Sequence, residues 1–389
     1  MQIPREVAAV LRPELPRLAE EMIATIGAEV PEYSRAMEGG FGRGVRMGVE
    51  IALGRFVDTI EHPGEPREGL GEIYVNLGRG ELHAGRSLDA LLGAYRVGAR
   101  LAWRRFVEAG RRENVDPDVM YQVGEAIFEY IDALSAESAE GYAAEQAAEA
   151  GERRRRRRRL VRLLAQDPPA DPEDVKAAAA EATWELPRTV AALVTDGGLT
   201  DDGGLEAEAE RVTRALGLGA VASVVDGVVC AFLPDPDAPG RRRQLAVVAP
   251  AALGPSVPWP QAGRSLRRAR GALVLASAGR IPREDLLVAE EHLASLMIGA
   301  DPLLAQELSA HRLTPLLELP PGPQGKLLPT LRAWLDRPGQ IQAIATALEV
   351  HPQTVRYRVR RLRELFGDAL DDPEQRFELA LALRASPGG

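Results

Sequence analysis

The most constraining stretch of this 389-residue sequence lies near its C-terminus, between Gln340 and Phe366. Its first part places apolar residues on one helical face, namely Ile341, Ile344, Ala345 and Leu348. After a short break, Pro352 stands where a helix can begin, because the first helical turn needs no partner for a missing N–H. Apolar residues then recur at i, i+4, i+7 and i+11, which is a buried helical stripe: Val355, Val359, Leu362 and Phe366. Two short helices joined by a tight turn are typical of a helix-turn-helix.

The second of these helices is cationic outside its apolar stripe. Five arginines stand within eight residues, with no acidic residue before Glu364: Arg356, Arg358, Arg360, Arg361 and Arg363. Such a group gains little on an isolated helix, whereas guanidiniums placed against DNA release condensed counterions and can also bind guanine bidentately. The alternative is a basic solvated helix beside an acidic neighbour. The pattern favours a partner that is double-stranded DNA.

The residue types also predict how this helix would contact DNA. Short polar and aromatic side chains lie at its N-terminal end, which is the part of a recognition helix that enters the major groove. We therefore expect base-edge contacts from Gln353, Thr354, Tyr357 and Arg358. We expect contacts to phosphate from His351, Arg356, Arg360 and Arg361. We interpret His351, in the turn, as a contact to backbone or phosphate rather than as a metal ligand.

This region resembles the C-terminal domain of PucR/CdaR-type bacterial transcription regulators. The resemblance rests on residues 327–335, on residues 341–362 with the core Val-His-x-x-Thr-Val-Arg-Tyr-Arg-Val, and on residues 371–383. The family usually has Arg-Asn before the threonine, where this chain has Pro352 and Gln353. The resemblance implies sequence-specific binding to operator or promoter DNA.

Length and charge set the frame for the rest of the chain. A chain of 389 residues exceeds one compact core, so about two to four domains are expected. The formal charge of −9 does not oppose nucleic-acid binding, because the basic residues are clustered and local potential decides binding. No apolar run approaches the roughly 20 residues that span a bilayer, and the single cysteine, Cys230, excludes an intramolecular disulfide. These features predict a cytoplasmic protein with no membrane association.

Residues 1–150 have helical periodicity almost throughout and predict a helical bundle. A long helix is expected over about 118–165, and the glycines of residues 39–44 are interpreted as a flexible turn. Residues 31–33 and 85–98 resemble the helical N-terminal domain of actinobacterial PucR-type proteins, which is itself similar to the RsbR-type sensor region. The resemblance implies a sensing or dimerising module. One group of basic residues could bind an anionic ligand or form a solvated face: His83, Arg96, Arg100, Arg104 and Arg105.

Seven consecutive arginines, Arg153 to Arg159, follow an Ala- and Glu-rich segment. Such a run can bind nucleic acid non-specifically. We favour the alternative, a helical connector in which the guanidiniums pair with preceding glutamates at four-residue spacing. Residues 167–172, Asp-Pro-Pro-Ala-Asp-Pro, are expected to be a linker.

Residues 173–300 change period and predict an α/β domain with a mostly antiparallel sheet. Asp226-Gly227 between two apolar runs is a strong hairpin signal. The expected strands are Thr189–Val194, Ala220–Val225, Val228–Leu233, Leu245–Val248 and Leu273–Leu275. The expected helices are Leu205–Leu216, Gln261–Arg270 and Pro282–Ile298. The order of these elements resembles the degenerate GGDEF-like domain that is common in the middle of PucR-type chains.

Cyclase activity is not expected of this domain. A cyclase needs clustered carboxylates for Mg²⁺ and a Gly-rich turn for the triphosphate. The nearest pieces, Gly197-Gly198 and residues 201–204, lack the Glu-Phe of an active hairpin. We also find no Walker A sequence, no Gly-x-Ser-x-Gly elbow and no paired histidine spacing, so no catalytic residue, metal or cofactor is predicted. Binding of a nucleotide or metabolite without turnover stays open.

These observations predict a multidomain α and α/β protein. The expected domains are a helical sensor and dimerisation domain (1–166), a GGDEF-like α/β domain (173–300) and an all-α helix-turn-helix domain (301–389), with a proline-punctuated link at 301–325. We expect a homodimer or higher homo-oligomer in which a signal, such as a small-molecule or nucleotide effector, changes the separation of two recognition helices. The alternative is a non-catalytic nucleotide or metabolite receptor that acts mainly through protein–protein contacts.

Overall fold

The computed structural model of the chain describes residues 3–34, 40–63, 70–195, 202–217, 219–239 and 245–386. They form two compact units, Met1–Glu152 and Arg153–Gly389. Helices and one small sheet account for their regular structure, which confirms the predicted multidomain α and α/β fold class. Within these ranges, no helix combines the length and the apolar character needed to cross a bilayer.

The first unit is a helical bundle, as predicted. Its helices are α1 (Glu6–Leu11), α2 (Leu15–Glu29), α3 (Pro31–Ser34), α4 (Gly40–Glu61), α5 (Leu70–His83), α6 (Leu88–Arg112) and α7 (Pro117–Leu164), the last of which continues into the second unit. The core contains Leu18, Val57, Phe106 and Val123, each with its side chain removed from solvent. Phe56 stacks on Phe106 with ring centroids 6.0 Å apart. The predicted long helix over 118–165 is confirmed as α7.

The glycines of residues 39–44 do not form the predicted turn where the structure describes them, because α4 already begins at Gly40. Elsewhere in the bundle a glycine does have a steric role. α5 and α7 cross so closely that a Cβ on Gly78 would lie 2.0 Å from the carbonyl oxygen of Ser138. A Cβ on Gly141 would lie 2.0 Å from the carbonyl oxygen of Val75. Both positions therefore require glycine for backbone contact between the two helices.

The basic group of the first unit has carboxylate neighbours. Arg100 Nη2 lies 2.5 Å from Glu29 Oε2, and Arg105 pairs with Glu21. His83 Nε2 lies 3.0 Å from Glu145 Oε1. The ion pairs of Arg100 and Arg105 favour the solvated-face interpretation for these two arginines, because each already has a counter-charge.

The second unit contains a six-stranded sheet. Its strands are β1 (Thr189–Thr195), β2 (Val221–Val225), β3 (Val228–Pro234), β4 (Ala251–Leu253), β5 (Val257–Pro258) and β6 (Leu286–Val288). Their order is β2-β3-β1-β4-β6, with β5 also paired to β1. Every pair is antiparallel except β4–β6, so the sheet is mostly antiparallel as predicted. The hairpin at Asp226-Gly227 is confirmed, and Asp226 has the positive φ of 51° that such a turn requires.

Helices cover both faces of this sheet. On β1, Ala191 and Leu193 face a core shared with α9 (Asp202–Leu216), whereas the alternate residues Val190 and Ala192 face the opposite core. The opposite core is formed with α8 (Pro172–Glu181), α10 (Ala262–Ser277) and the end of α7. Both faces are buried, which explains why the strands are continuous apolar runs.

Three predicted elements of this region are wrong. Leu273–Leu275 belongs to helix α10, because three apolar residues cannot be distinguished from a helical segment by period alone. Residues 245–248 form a helical turn (3-10 over Ala246–Val248), and the strand follows Pro250 as β4. Of the predicted helix 282–298, residues 286–288 form β6, which gains a parallel partner in β4, and only α11 (Leu293–Gly299) is α-helical. Residues 196–201, including Gly197-Gly198, lie outside the described residues.

The C-terminal part of the second unit is all-α. Its helices are α12 (Pro302–Leu317), α13 (Pro321–Asp336), α14 (Ile341–Ala347), α15 (Pro352–Phe366) and α16 (Pro373–Ala385). Most of the predicted proline-punctuated link at 301–325 lies in α12 and α13, each of which starts with a proline in its first turn. Leu313 and Leu316 of this segment are buried in the core of the C-terminal part. Arg280 of the α/β part donates from Nη1 to the carbonyl oxygen of Ala385 at 2.8 Å.

Part of the arginine run pairs differently from the prediction. Arg154 and Arg158 pair with Glu210 and Glu206 of α9, and Arg159 Nη1 lies 2.7 Å from Glu181 Oε2 of α8. These three guanidiniums thus bind carboxylates that follow them in the chain rather than preceding glutamates at helical spacing. The reason is tertiary, because the end of α7 packs against the α/β part.

Candidate nucleic-acid interface

The turn between α14 and α15 is closed by backbone hydrogen bonds. Glu349 adopts a positive φ of 52°. Its N–H donates to the carbonyl oxygen of Thr346 at 3.3 Å, and the N–H of Val350 donates to the carbonyl oxygen of Ala345 at 3.0 Å. This is the Schellman arrangement, in which a left-handed residue ends one helix and sends the chain off at an angle. The tight turn predicted from sequence is therefore present.

The start of α15 is capped by His351. Its Nδ1 accepts a hydrogen bond from the N–H of Gln353 at 3.2 Å, and Pro352 occupies the first helical position. This contact is to backbone, and it leaves Nε2 available to donate outward when the ring is neutral. The cap orients the first turn of α15, the part that would enter a groove.

One face of α15 is anchored in a common core. Val355, Val359 and Leu362 are buried, as the apolar period predicts. They pack with a set of side chains from the neighbouring helices: Leu331 and Trp334 of α13, Ile344 of α14, and Leu379 and Leu383 of α16. Because the buried face is fixed by this packing, the opposite face of α15 is held outward.

The outward face carries four of the predicted contact residues: Gln353, Tyr357, Arg360 and Arg361, all of them exposed. Tyr357 exposes 67% of its surface, which is unusual for an aromatic residue. Arg361 Nη1 lies 2.6 Å from Glu364 Oε2 on the same helix. In the described part of the chain, no carboxylate pairs with Arg360. This face presents polar, aromatic and cationic groups together, which suits contact with DNA.

The other predicted residues lie on the flanks of α15. Arg356 Nη1 donates to Gln353 Oε1 at 2.9 Å. Thr354 and Arg358 are half-buried on the flank that faces α13. Arg358 Nη1 lies 3.5 Å from both the carbonyl oxygen of Lys326 and Thr330 Oγ1. Contacts at that distance are weak, so the guanidinium can leave them at little cost.

Sequence reasoning missed the role of Arg363. Its guanidinium carbon lies 5.4 Å from the ring centroid of Trp334, and its Nη2 lies 3.2 Å from Asp371 Oδ1. Arg363 is exposed, yet its guanidinium connects α15 to the helix that supports it. The helical position of Arg363 alone does not predict this role, because its partner Trp334 is distant in sequence.

Comparison with known proteins agrees with this geometry. Residues 1–165 match the PucR-like N-terminal domain, and residues 327–385 match the PucR C-terminal helix-turn-helix domain. These two ranges carry PucR-type domains. The PucR helix-turn-helix match includes all of α14, α15 and α16 and the larger part of α13.

Individual proteins are similar to this chain over short stretches. An uncharacterized protein of Mycobacterium tuberculosis is 32% identical over 136 residues, which are 34% of this chain and 31% of that protein. The purine catabolism regulatory protein of Bacillus subtilis is 47% identical over 58 residues, 15% of this chain and 11% of that protein. The chain therefore spans about a third of the length of the mycobacterial relatives it matches, and less of the Bacillus protein.

A solved structure is also similar to this PucR-type chain. The regulator of polyketide synthase expression from Bifidobacterium adolescentis is 22% identical, covering 60% of this chain and 97% of that one, with a TM-score of 0.33.

Proposed function

We propose that this chain is a cytoplasmic transcriptional regulator of the PucR type that binds double-stranded DNA in a sequence-specific manner. The observation that carries the proposal is the two-sided character of α15. One side is locked into the core by Val355, Val359 and Leu362, and the other presents Gln353, Tyr357 and Arg360. A rigidly held helix with polar and cationic groups outward is what major-groove recognition requires.

The proposed contacts divide into two classes. Gln353, Thr354, Tyr357 and Arg358 contact base edges from the first half of α15, and Arg358 does so by leaving its 3.5 Å contacts with α13. His351, Arg356, Arg360 and Arg361 contact phosphate and set the register of the helix on the duplex. The cap formed by His351 supports the second role, because it uses Nδ1 and leaves Nε2 of the ring to contact a partner.

The proposed control is a change in the spacing of two recognition helices. In this proposal, the chain acts as a homodimer or higher homo-oligomer with domains at 1–166, 173–300 and 301–389. A signal received by the N-terminal helices alters dimer geometry through α7, which runs from Pro117 to Leu164 as one helix. Leu160 and Val161 near its end are buried in the core of the α/β part. Movement of this helix would therefore change the packing of that core.

The test is selection of genomic fragments by the full chain, followed by a gel-retardation assay on the best fragment. We expect retention of that fragment in the presence of scrambled competitor at moderate salt. The variant Arg356→Ala/Arg360→Ala should lose retention, while Arg264→Ala, an exposed arginine on α10, should keep it. If the full chain prefers no fragment over scrambled DNA, the proposed function is wrong.

A further inference from the structure

The first unit contains a large cavity between its helices that is partly open to solvent. It has a volume of about 420 Å³ and is bordered by helices α2 to α7. Its wall is mostly apolar and includes Ile26, Val49, Leu53, Phe56, Leu91 and Ile127. A cavity of roughly 150 Å³ with such a wall stays dry and takes up benzene, and pockets for small ligands have volumes of about 300–1,000 Å³. The cavity thus has the size and surface of a ligand site.

The charged side chains on the described part of the wall neutralise each other. They are Glu81 and Arg86, and their atoms Oε2 and Nε lie 2.5 Å apart. Tyr33 donates its hydroxyl to Glu81 Oε2 at 3.0 Å, and the Arg86 guanidinium lies over the Tyr33 ring at 5.5 Å. Glu81 is 3% exposed. Because this carboxylate and guanidinium are already paired, the wall offers no spare charge to bind an ion.

The tyrosine hydroxyls of the wall are also satisfied. Tyr130 donates to the carbonyl oxygen of Ala52 at 3.0 Å and lies 3.0 Å from the hydroxyl of Tyr74. The hydroxyl of Tyr95 lies 2.8 Å from Ser138 Oγ. Burial raises the pKa of Tyr33, Tyr95 and Tyr130 well above the usual range, so these phenols stay neutral. A ligand with several polar groups would have to break these bonds, whereas an apolar one would leave them intact.

We infer that this cavity binds a neutral, largely apolar small molecule, such as an aromatic or short aliphatic compound. Its occupant would touch α7 through Ile127, Tyr130, Ile131 and Leu134. Occupation therefore restrains the same helix that carries the proposed signal toward residue 164. The inference that a ligand binds depends only on the cavity. The inference that this ligand is the regulatory signal rests on the proposed DNA-binding function.

The probe for the test is the neutral fluorophore phenylnaphthylamine, compared with its sulfonated analogue anilinonaphthalene sulfonate. The two differ by one sulfonate group, so they separate apolar fit from charge. We expect the full chain to bind one phenylnaphthylamine per chain with enhanced fluorescence. The sulfonated analogue should bind about tenfold more weakly or worse, because its charge would lose hydration beside an already paired carboxylate.

Two substitutions fill the cavity from different walls. A Cβ on Gly48 of α4 meets no atom within 4 Å, so Gly48→Leu projects into open space and also replaces a helical glycine. Ala99 borders the cavity from α6, so Ala99→Leu adds side-chain volume at a second wall. Each should lower phenylnaphthylamine affinity by about tenfold or more. Gly54→Leu is the matched control, because Gly54 lies on α4, also has no atom within 4 Å of its Cβ, and does not border the cavity.

The outcomes are separable from those of the DNA-binding test. Unchanged probe affinity in both filled variants, or equal affinity for the two probes, overturns the inference, because binding would then occur on exposed apolar surface. Circular dichroism of each variant shows whether it folds. If Gly48→Leu does not fold, the affinity of Ala99→Leu for phenylnaphthylamine is the deciding measurement. If the probe binds as expected but no DNA fragment is retained, the cavity site stands and the proposed regulator function fails.

Discussion

Individual side chains of α15 divide into those that build the helix-turn-helix and those that are available to a partner. Arg363 stacks on Trp334 and pairs with Asp371, so it belongs to the first group although its residue type suggests the second. Arg360 lies on the outward face and belongs to the second. The two arginines are only three positions apart, and the difference between them arises from their neighbours, because Trp334 and Asp371 lie beside Arg363.

Arg360→Ala should reduce the salt dependence of DNA binding. Removal of one phosphate contact lowers the slope of log affinity against log salt by about 0.9, with similar weakening on every sequence. The measurement is a fluorescence-anisotropy titration at several salt concentrations. Arg264→Ala removes an equal charge from α10 and should leave the slope unchanged. An unaltered slope in Arg360→Ala would remove Arg360 from the interface.

Arg358→Ala should relax sequence specificity. If Arg358 binds a guanine edge, its loss costs about 1–3 kcal/mol on the preferred site and little on scrambled DNA. Because the contacts of Arg358 with Lys326 and Thr330 are at 3.5 Å, the thermal midpoint should barely change. Competition binding with the preferred site and with scrambled DNA measures the loss of specificity. A thermal melting curve measures the change in midpoint. Equal weakening of binding to all sequences would instead identify a phosphate contact. A large fall in the thermal midpoint would identify a structural role for Arg358.

The local sequence pattern was sufficient to predict some secondary-structure elements and insufficient for others. α15 begins at its predicted proline and buries three of the four residues of its predicted stripe, with Phe366 half-buried, because a 15-residue amphipathic helix carries its own period and cap. β6 was predicted as part of a helix, because three residues carry too little period and its strand character comes from pairing with β4. Short elements thus take their conformation from distant partners.

The crossing of α5 and α7 gives a sharp test of packing between elements. Gly78→Ala places a Cβ 2.0 Å from the carbonyl oxygen of Ser138 and should destabilise the crossing by about 1–3 kcal/mol. Gly80→Ala, two residues along α5, meets no atom within 4 Å and should stabilise the helix by about 0.5–1 kcal/mol. Hydrogen exchange of peptides from α5 measures both changes. Equal protection in the two variants would contradict the close crossing.

The molecule as a whole is proposed to act through paired recognition helices. A dimer should protect two half-sites whose centres are about 34–36 Å apart, or a multiple of that distance. Footprinting of the selected DNA fragment gives the spacing, and analytical ultracentrifugation gives the mass of the free protein. A monomer that protects a single half-site would contradict control by dimer geometry while leaving DNA binding intact.

The local sequence determined the C-terminal motif, the long helix α7 and the hairpin at Asp226-Gly227, because each carries a complete signal of period, cap or turn within a short stretch. The sequence also predicted that Arg358 and Arg363 lie on this helix, but it did not predict which residues they contact. Only tertiary packing decided that Arg363 contacts Trp334, that Arg154 pairs with Glu210, and that a cavity lies between the helices of the first unit. The physical reason is that these features depend on contacts between residues far apart in the chain, which a local period cannot encode.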